Sequence, residues 1–154
     1  MAEETGIDRS RLLIPGLGGL YGSLSPLSYA IMRFSAGAIM VPHGVQKLLY
    51  GSIARSAEGI AAKGIPFATF LAGATVFTEL VAAICLAIGL FTRAAAVMIW
   101  IEMTVIILFF NWQFGYFWTN RGIEFALLWW LLCFAIFFRG GGRYSLDRFL
   151  GKEI

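Results

Sequence analysis

The sequence predicts an all-α, membrane-embedded four-helix bundle, and three observations carry that prediction. Hydrophobic residues make up 59% of the 154-residue chain and charged residues 14%, against about 45–50% and about 25% in a soluble domain. Four long apolar runs occur, at 26–49, 66–90, 94–111 and 121–139, where a helix needs about 20 residues to cross a bilayer core. The runs are continuous rather than alternating, the pattern of helices and not of barrel strands. Hydrocarbon, which cannot satisfy open backbone groups, leaves no third choice.

Taken in order, residues 1–25 read as an N-terminal surface segment, glycine-rich after Pro15. No apolar stretch interrupts MAEETGIDRS, so a cleaved signal peptide is not expected and the first helix serves as its own signal. That helix opens at Ser25-Pro26, a cap followed by a proline at the first helical position. Between the first and second helices, Ile53, Ala57, Ile60 and Ala61 recur at helical spacing, which predicts a short surface helix. Phe91-Thr92-Arg93 reads as a tight turn after Gly89, so the second and third helices form an antiparallel hairpin. The segment NWQFGYFWTN at 111–120 reads as an interfacial aromatic belt. Residues 140–154 read as a tail, completing the division around a membrane domain at 26–139.

Arg9, Arg11, Arg93, Arg139, Arg143, Arg148 and Lys152 fall on one side of this layout, and Lys47, Arg55, Lys63 and Arg121 on the other. The excess places both termini in the cytoplasm. The basic residues are dispersed, and no Lys/Arg-rich block suggests nucleic acid as a partner for the net charge of +3. The lipid bilayer is the expected partner.

Function is expected where charge is most costly. A charged side chain at the bilayer centre costs about 2.5–3.5 kcal/mol on insertion scales. Arg33 and His43 lie in the first run, Glu79 in the second, Glu102 in the third and Glu124 at the start of the fourth. At about 1.5 Å per residue, Arg33, Glu102 and Glu79 fall roughly 10, 12 and 16 Å from one end. That depth predicts one cation between two carboxylates inside the bundle. An outer polar cluster of His43, Gln46, Lys47, Asn111, Gln113, Arg121 and Glu124 is expected nearer the opposite face. On the first helix Arg33, Ala36, Gly37, Met40, His43, Gly44 and Lys47 share one stripe, whose glycines permit close approach of another helix. Ala72, Thr75, Glu79, Ala82 and Ala83 form a matching face on the second.

Other chemistries lack their residues. One histidine excludes bis-histidine haem ligation, no Cys/His cluster has zinc spacing, and GLGG at 16–19 follows no strand and is not a nucleotide fingerprint. Cys85 and Cys133 sit inside apolar runs and read as small buried hydrophobes. Neither haem, zinc, another metal nor nucleotide is expected, and no catalytic residue is identified.

RFSAGAIMVPHGVQKLL, FTELVAAICLAIGLFTRAAA, GIEFALLW and GGGRYSLDR together resemble the DoxX family of small bacterial membrane proteins, related to the DoxD-type subunit of thiosulfate:quinone oxidoreductase. The resemblance runs over about residues 29–148. It implies a four-helix fold with cytoplasmic termini, the bacterial inner membrane as location, and a link to quinone reduction, sulfur-compound oxidation or oxidative-stress complexes. Two main readings follow. In the first, a quinone sits between the helices, with Arg33, Met40, His43 and Glu79 as its contacts, and Arg33, His43, Lys47, Glu79, Glu102 and Glu124 as ligand-binding or proton-relay groups. Trp129 and Trp130 are stacking candidates, against a packing role. In the second, the chain is a non-catalytic accessory or assembly subunit of a larger membrane redox complex, its charges structural. A small-molecule transporter is the third reading, and with four helices it requires a homo-oligomer.

Overall fold

The computed structural model describes residues 8–152, and among them every regular element is helical. The long elements are α1 (Gly18–Ala38), α2 (Val41–Leu49), α3 (Ser52–Ala62), α4 (Ala68–Phe77), α5 (Ala83–Ile88), α6 (Thr92–Val105) and α7 (Glu124–Arg139), with α8 (Leu146–Leu150) near the C-terminus. A π-helical segment, Thr78–Ala82, joins α4 to α5, and another, Ile106–Asn111, extends α6. Three helical stretches are long and apolar enough to cross a membrane: Pro15–Leu49, Ala68–Ile88 and Thr92–Phe114. With 16 residues, α7 is about 24 Å long.

Exposure is inverted relative to a protein folded in water. Ile31, Phe34, Phe70, Ile101, Leu108 and Leu131 are all more than half exposed, while Arg33, Glu79, Glu102 and Asp147 are at most 7% exposed. Water would penalise both halves of that arrangement, and hydrocarbon outside with polar groups turned inward satisfies both. This is a membrane protein. Its interior is close-packed through small side chains: Ala72, Ala83 and Ala96 are fully buried, as are Leu86, Ile99, Cys133 and Ile136.

Several boundaries move. The first helix starts at Gly18 rather than Pro26, which puts Pro26 inside α1 and absorbs part of the expected surface segment. A proline in a helix leaves a backbone carbonyl without its usual donor. Ser23 Oγ donates to the Leu20 carbonyl and Ser28 Oγ to that of Ser25, neither of them the Gly22 carbonyl that Pro26 leaves without its donor. The run expected to continue unbroken to Leu49 instead breaks at Ile39-Met40. Pro42 explains the break, because its ring clashes with the carbonyl four residues back, that of Ala38, where α1 ends. The buried stripe of Arg33, Ala36 and Gly37 continues through the break to Met40 and Gly44, and His43 lies off its edge. Arg33, Ala36, Gly37, Met40 and Gly44 are buried, whereas His43 is exposed. On the facing helix Ala72, Glu79, Ala82 and Ala83 are buried as expected.

Helix α3 occupies the expected surface-helix position and packs against α4, burying Ile60. The turn from α5 to α6 is tight. Gly89 adopts φ +74°, and the Leu90 N–H donates to the Cys85 carbonyl, so a left-handed residue ends α5 in the usual way for a helix C-terminus.

Gly37 marks the closest approach of α1 to α5. A Cβ there would overlap the Ala83 carbonyl oxygen and lie 2.6 Å from the Ala87 nitrogen, whereas one at Gly22 would meet nothing. Gly37→Ala is expected to lower unfolding stability in detergent by about 1–3 kcal/mol. Gly22→Ala should leave it unchanged or slightly raised. Equal melting temperatures for the two variants would contradict this packing.

Candidate functional site

The ionisable residues sort into two sites rather than one. The first is built where α2 crosses the π-helical segment. Pro42 starts α2, and Gly44 lets it come close: a Cβ at Gly44 would lie 2.7 Å from Leu80 Cγ and 3.0 Å from Glu79 Cβ. One turn later, Lys47 Nζ donates to Glu79 Oε1 at 2.5 Å. The Glu79 side chain is 6% exposed and that of Lys47 25%, so the pair is buried at the carboxylate and open at the amine. Glu102 is buried on α6, which packs against the π-helical segment that carries Glu79.

Satisfaction is uneven. Neither carboxyl oxygen of Glu102 has a hydrogen-bond partner, and Glu79 Oε2 has none. An enclosed carboxyl without a donor costs roughly 1–3 kcal/mol or more, and each such group calls for an explanation such as a missing proton, ion or ligand. Short π-helical segments are rare and concentrate at functional sites; here one carries Glu79.

The second site fastens the opposite end of the bundle. Arg33 does not pair with Glu79 or Glu102, contrary to the depth argument. Its Nη1 donates to the Leu86 and Ala87 carbonyls at 2.7 and 2.9 Å, and its Nη2 to the Tyr144 carbonyl at 2.6 Å. Arg33 lies level with the last turn of α5, so α1, which begins at Gly18, runs on past the end of that helix, and the carbonyls at a helix end carry partial negative charge. Gly89 is shaped to this guanidinium, because a Cβ there would overlap Arg33 Nη1 and lie 2.6 Å from Ser145 Cβ.

Asp147 matches Arg33 on the neighbouring helix end. Its Oδ1 accepts from the Phe91 N–H at 2.7 Å, and its Oδ2 from the Thr92 N–H at 2.9 Å and Thr92 Oγ1 at 2.6 Å. It thereby caps the N-terminus of α6 and holds Phe91 at φ +47°. The Asp147 N–H donates to the Gly89 carbonyl, and Tyr29 Oη to that of Gly140. Arg93 Nη1 donates to the Phe137 and Phe138 carbonyls at the end of α7. Residues 140–152 are therefore docked on the bundle rather than hanging from it as a tail. Asp147 was passed over as a site residue in sequence because it lies outside the apolar runs; the readable signal was Ser145, which caps α8, two positions before it.

The remaining expected contacts are scattered. Met40 is buried in the core, and His43 is exposed on α2. Glu124 accepts from the Trp118 N–H at 3.0 Å and fastens the aromatic loop. Asn111 Nδ2 reaches the Gly122 carbonyl at 3.4 Å, while Gln46, Gln113 and Arg121 are exposed, so the outer cluster does not assemble. Trp129 donates through its indole to the Ala36 carbonyl and Trp130 to Thr104 Oγ1, and Trp130 stacks on Phe134 with centroids 5.6 Å apart. Both tryptophans are thus engaged within the bundle.

These features define an α-helical membrane protein with a buried lysine–carboxylate cluster at one level and an arginine-capped helix end at another. The chain belongs to the DoxX family, whose model matches residues 28–112, more than half its length. That range contains Arg33, Lys47, Glu79 and Glu102, and ends before α7 and Asp147. No curated protein and no solved structure matches.

Arg33→Lys keeps the charge but loses the planar fork that serves three carbonyls at once. It is expected to lower unfolding stability by about 2 kcal/mol and to make residues 140–152 accessible to protease. Unchanged stability together with unchanged proteolysis would contradict the capping role.

Proposed function

We propose that this DoxX-family protein is a redox-associated subunit of the bacterial inner membrane, with a quinone headgroup bound at the Lys47–Glu79–Glu102 cluster. In this reading the chain crosses the membrane four times, α7 being the short fourth span, with both termini cytoplasmic. The exposed apolar face of α7, with Leu128, Leu131, Phe134 and Phe138, supports its contact with lipid.

The single observation that carries the proposal is the Glu102 carboxyl, 7% exposed and without a hydrogen bond on either oxygen. Arg33 at the other end of the bundle leaves a single nitrogen, Nε, without a partner, whereas the Glu102 carboxyl is bonded at neither oxygen, and a half-satisfied buried network costs more than an apolar core. The donor inventory suits a ligand with two carbonyl oxygens. Lys47 carries three N–H donors, one of which goes to Glu79. Glu102 supplies an O–H donor when it holds a proton. Glu79 Oε2 is a further acceptor, positioned to take or return a proton. A bound quinone would supply two-electron chemistry with coupled proton uptake. The chain's own part is to orient the ring's oxygens, hold a proton at Glu102, and exclude water through Met40 and the packed helices. Arg33 and His43 leave this ligand set, Arg33 because its Nη1 and Nη2 serve carbonyls at the other end of the bundle and His43 because it is exposed.

Protein purified in mild detergent is expected to carry extractable quinone. Glu102→Gln, which keeps the shape and removes the exchangeable proton, should lower quinone content at least tenfold with the melting temperature changed little. Absence of quinone from the wild-type protein, with stoichiometric co-purification of a larger complex instead, would overturn the quinone reading in favour of an accessory subunit.

A further inference from the structure

The Lys47–Glu79–Glu102 cluster is closed unequally in the two directions along the bundle. Toward the Arg33 end the interior is apolar and tight. Ala83 and Leu86 lie between Glu79 and Gly89, Ala96 and Ile99 between Thr92 and Glu102, and Cys133 and Ile136 on the turns of α7 that lead to Arg139; all six are fully buried. No charged residue occurs in α5, in α6 between Arg93 and Glu102, or in α7 between Glu124 and Arg139. A close-packed layer without polar partners holds no water.

The other direction is looser. Among the described apolar residues on the α3 side of the cluster, only Ala72 is as fully buried. Lys47 lies two residues from the end of α2, and a quarter of its side chain is exposed. An ammonium group turned to hydrocarbon is costly, and a lysine near a helix end extends its amine toward the interface, so the open part of Lys47 faces headgroups or water. His43 and Gln46 are exposed on the same short helix, and α3 exposes Arg55 and Glu58. Thr75, one turn before Glu79 on this side, is only partly buried.

We infer that water and protons reach the cluster from the α3 face alone, past the Lys47 amine, and that the apolar layer seals it from the Arg33 end. The inference rests on the reading of the cluster as a proton-handling ligand site and adds the side on which the handling occurs. A proton moving inward leaves Lys47 Nζ for Glu79 Oε1, and water on that face recharges the amine. In the proposed topology this face is the periplasmic one, so a proton passed to a ligand here is drawn from the periplasm and not from the cytoplasm.

The test is thiol labelling of single-cysteine variants of the full chain in right-side-out and inverted membrane vesicles. A Cys85→Ser background is used, Cys133 being fully buried and therefore unreactive. The probe is the membrane-impermeant trimethylammonioethyl methanethiosulfonate. Gly59→Cys, where a Cβ meets nothing, marks the α3 face, and Phe149→Cys, at a side chain 86% exposed, marks the other. Lys47→Cys and Thr75→Cys are expected to label at least about tenfold faster in the vesicles that label Gly59→Cys than in those that label Phe149→Cys. Thr75→Cys keeps the ion pair, so mispacking after loss of Lys47 does not decide the result. Labelling of either position from the Phe149 side would overturn the proposal, and so would failure of both to label from the Gly59 side. The readout needs no quinone, so protein found to lack quinone would defeat the ligand reading and leave this test intact.

Discussion

The ion pair between Lys47 and Glu79 is the interaction on which the organisation of the interior depends. A carboxylate enclosed by hydrocarbon and protein is tolerated only beside a cation or a set of donors. Meeting that demand fits the break that Pro42 makes after Ala38, the second helix that follows from Val41, and the absence of a side chain at Gly44 where it faces Leu80. Each feature brings one amine to one carboxylate. The π-helical segment belongs to the same arrangement, because its wider turn carries Glu79 at the crossing point. Glu102 is left without a donor on either oxygen, the feature on which the proposed ligand site rests.

The opposite end obeys the same constraint by another means. Helix ends expose backbone groups that lipid cannot satisfy, and here side chains from distant parts of the chain supply the partners. Arg33 serves the end of α5, Asp147 the start of α6, and Arg93 the end of α7. Charges that look anomalous in an apolar sequence thus divide into two kinds. Those bonded to backbone groups complete helices, and their work is structural. In the set on Lys47, Glu79 and Glu102 the amine bonds Glu79 and the Glu102 carboxyl has no hydrogen bond, which is why the proposed ligand is placed there.

Much of this was legible in the sequence. Continuous apolar runs gave away the helices, Gly89 the hairpin turn, and the small residues around Glu79 the interior face. Glu79 and Glu102 stood out as interior carboxylates because nothing else in their runs is polar enough to explain them. The identity of the cation was not legible. Depth measured from Pro26 assumes a helix that starts level with the end of its neighbour, whereas α1 begins at Gly18 and runs past the end of α5, which leaves Arg33 at that end and out of reach of Glu79. The break at Ile39-Met40 was hidden because neither the apolar composition nor the spacing of the buried positions changes across it. Asp147 was obscure for a different reason: its partners are amides at a turn 55 residues away, and only the folded chain brings them together.

The most direct test of the central claim is a double-mutant cycle on the ion pair, measured as reversible unfolding in detergent with Lys47→Met, Glu79→Gln and the double variant. A paired lysine and carboxylate enclosed together predict strong coupling, about 1.5 kcal/mol or more, with the double variant more stable than the sum of the single losses requires. Additive losses, or an equally large coupling between Glu79 and Arg33, would contradict the assignment of Lys47 as the interior cation.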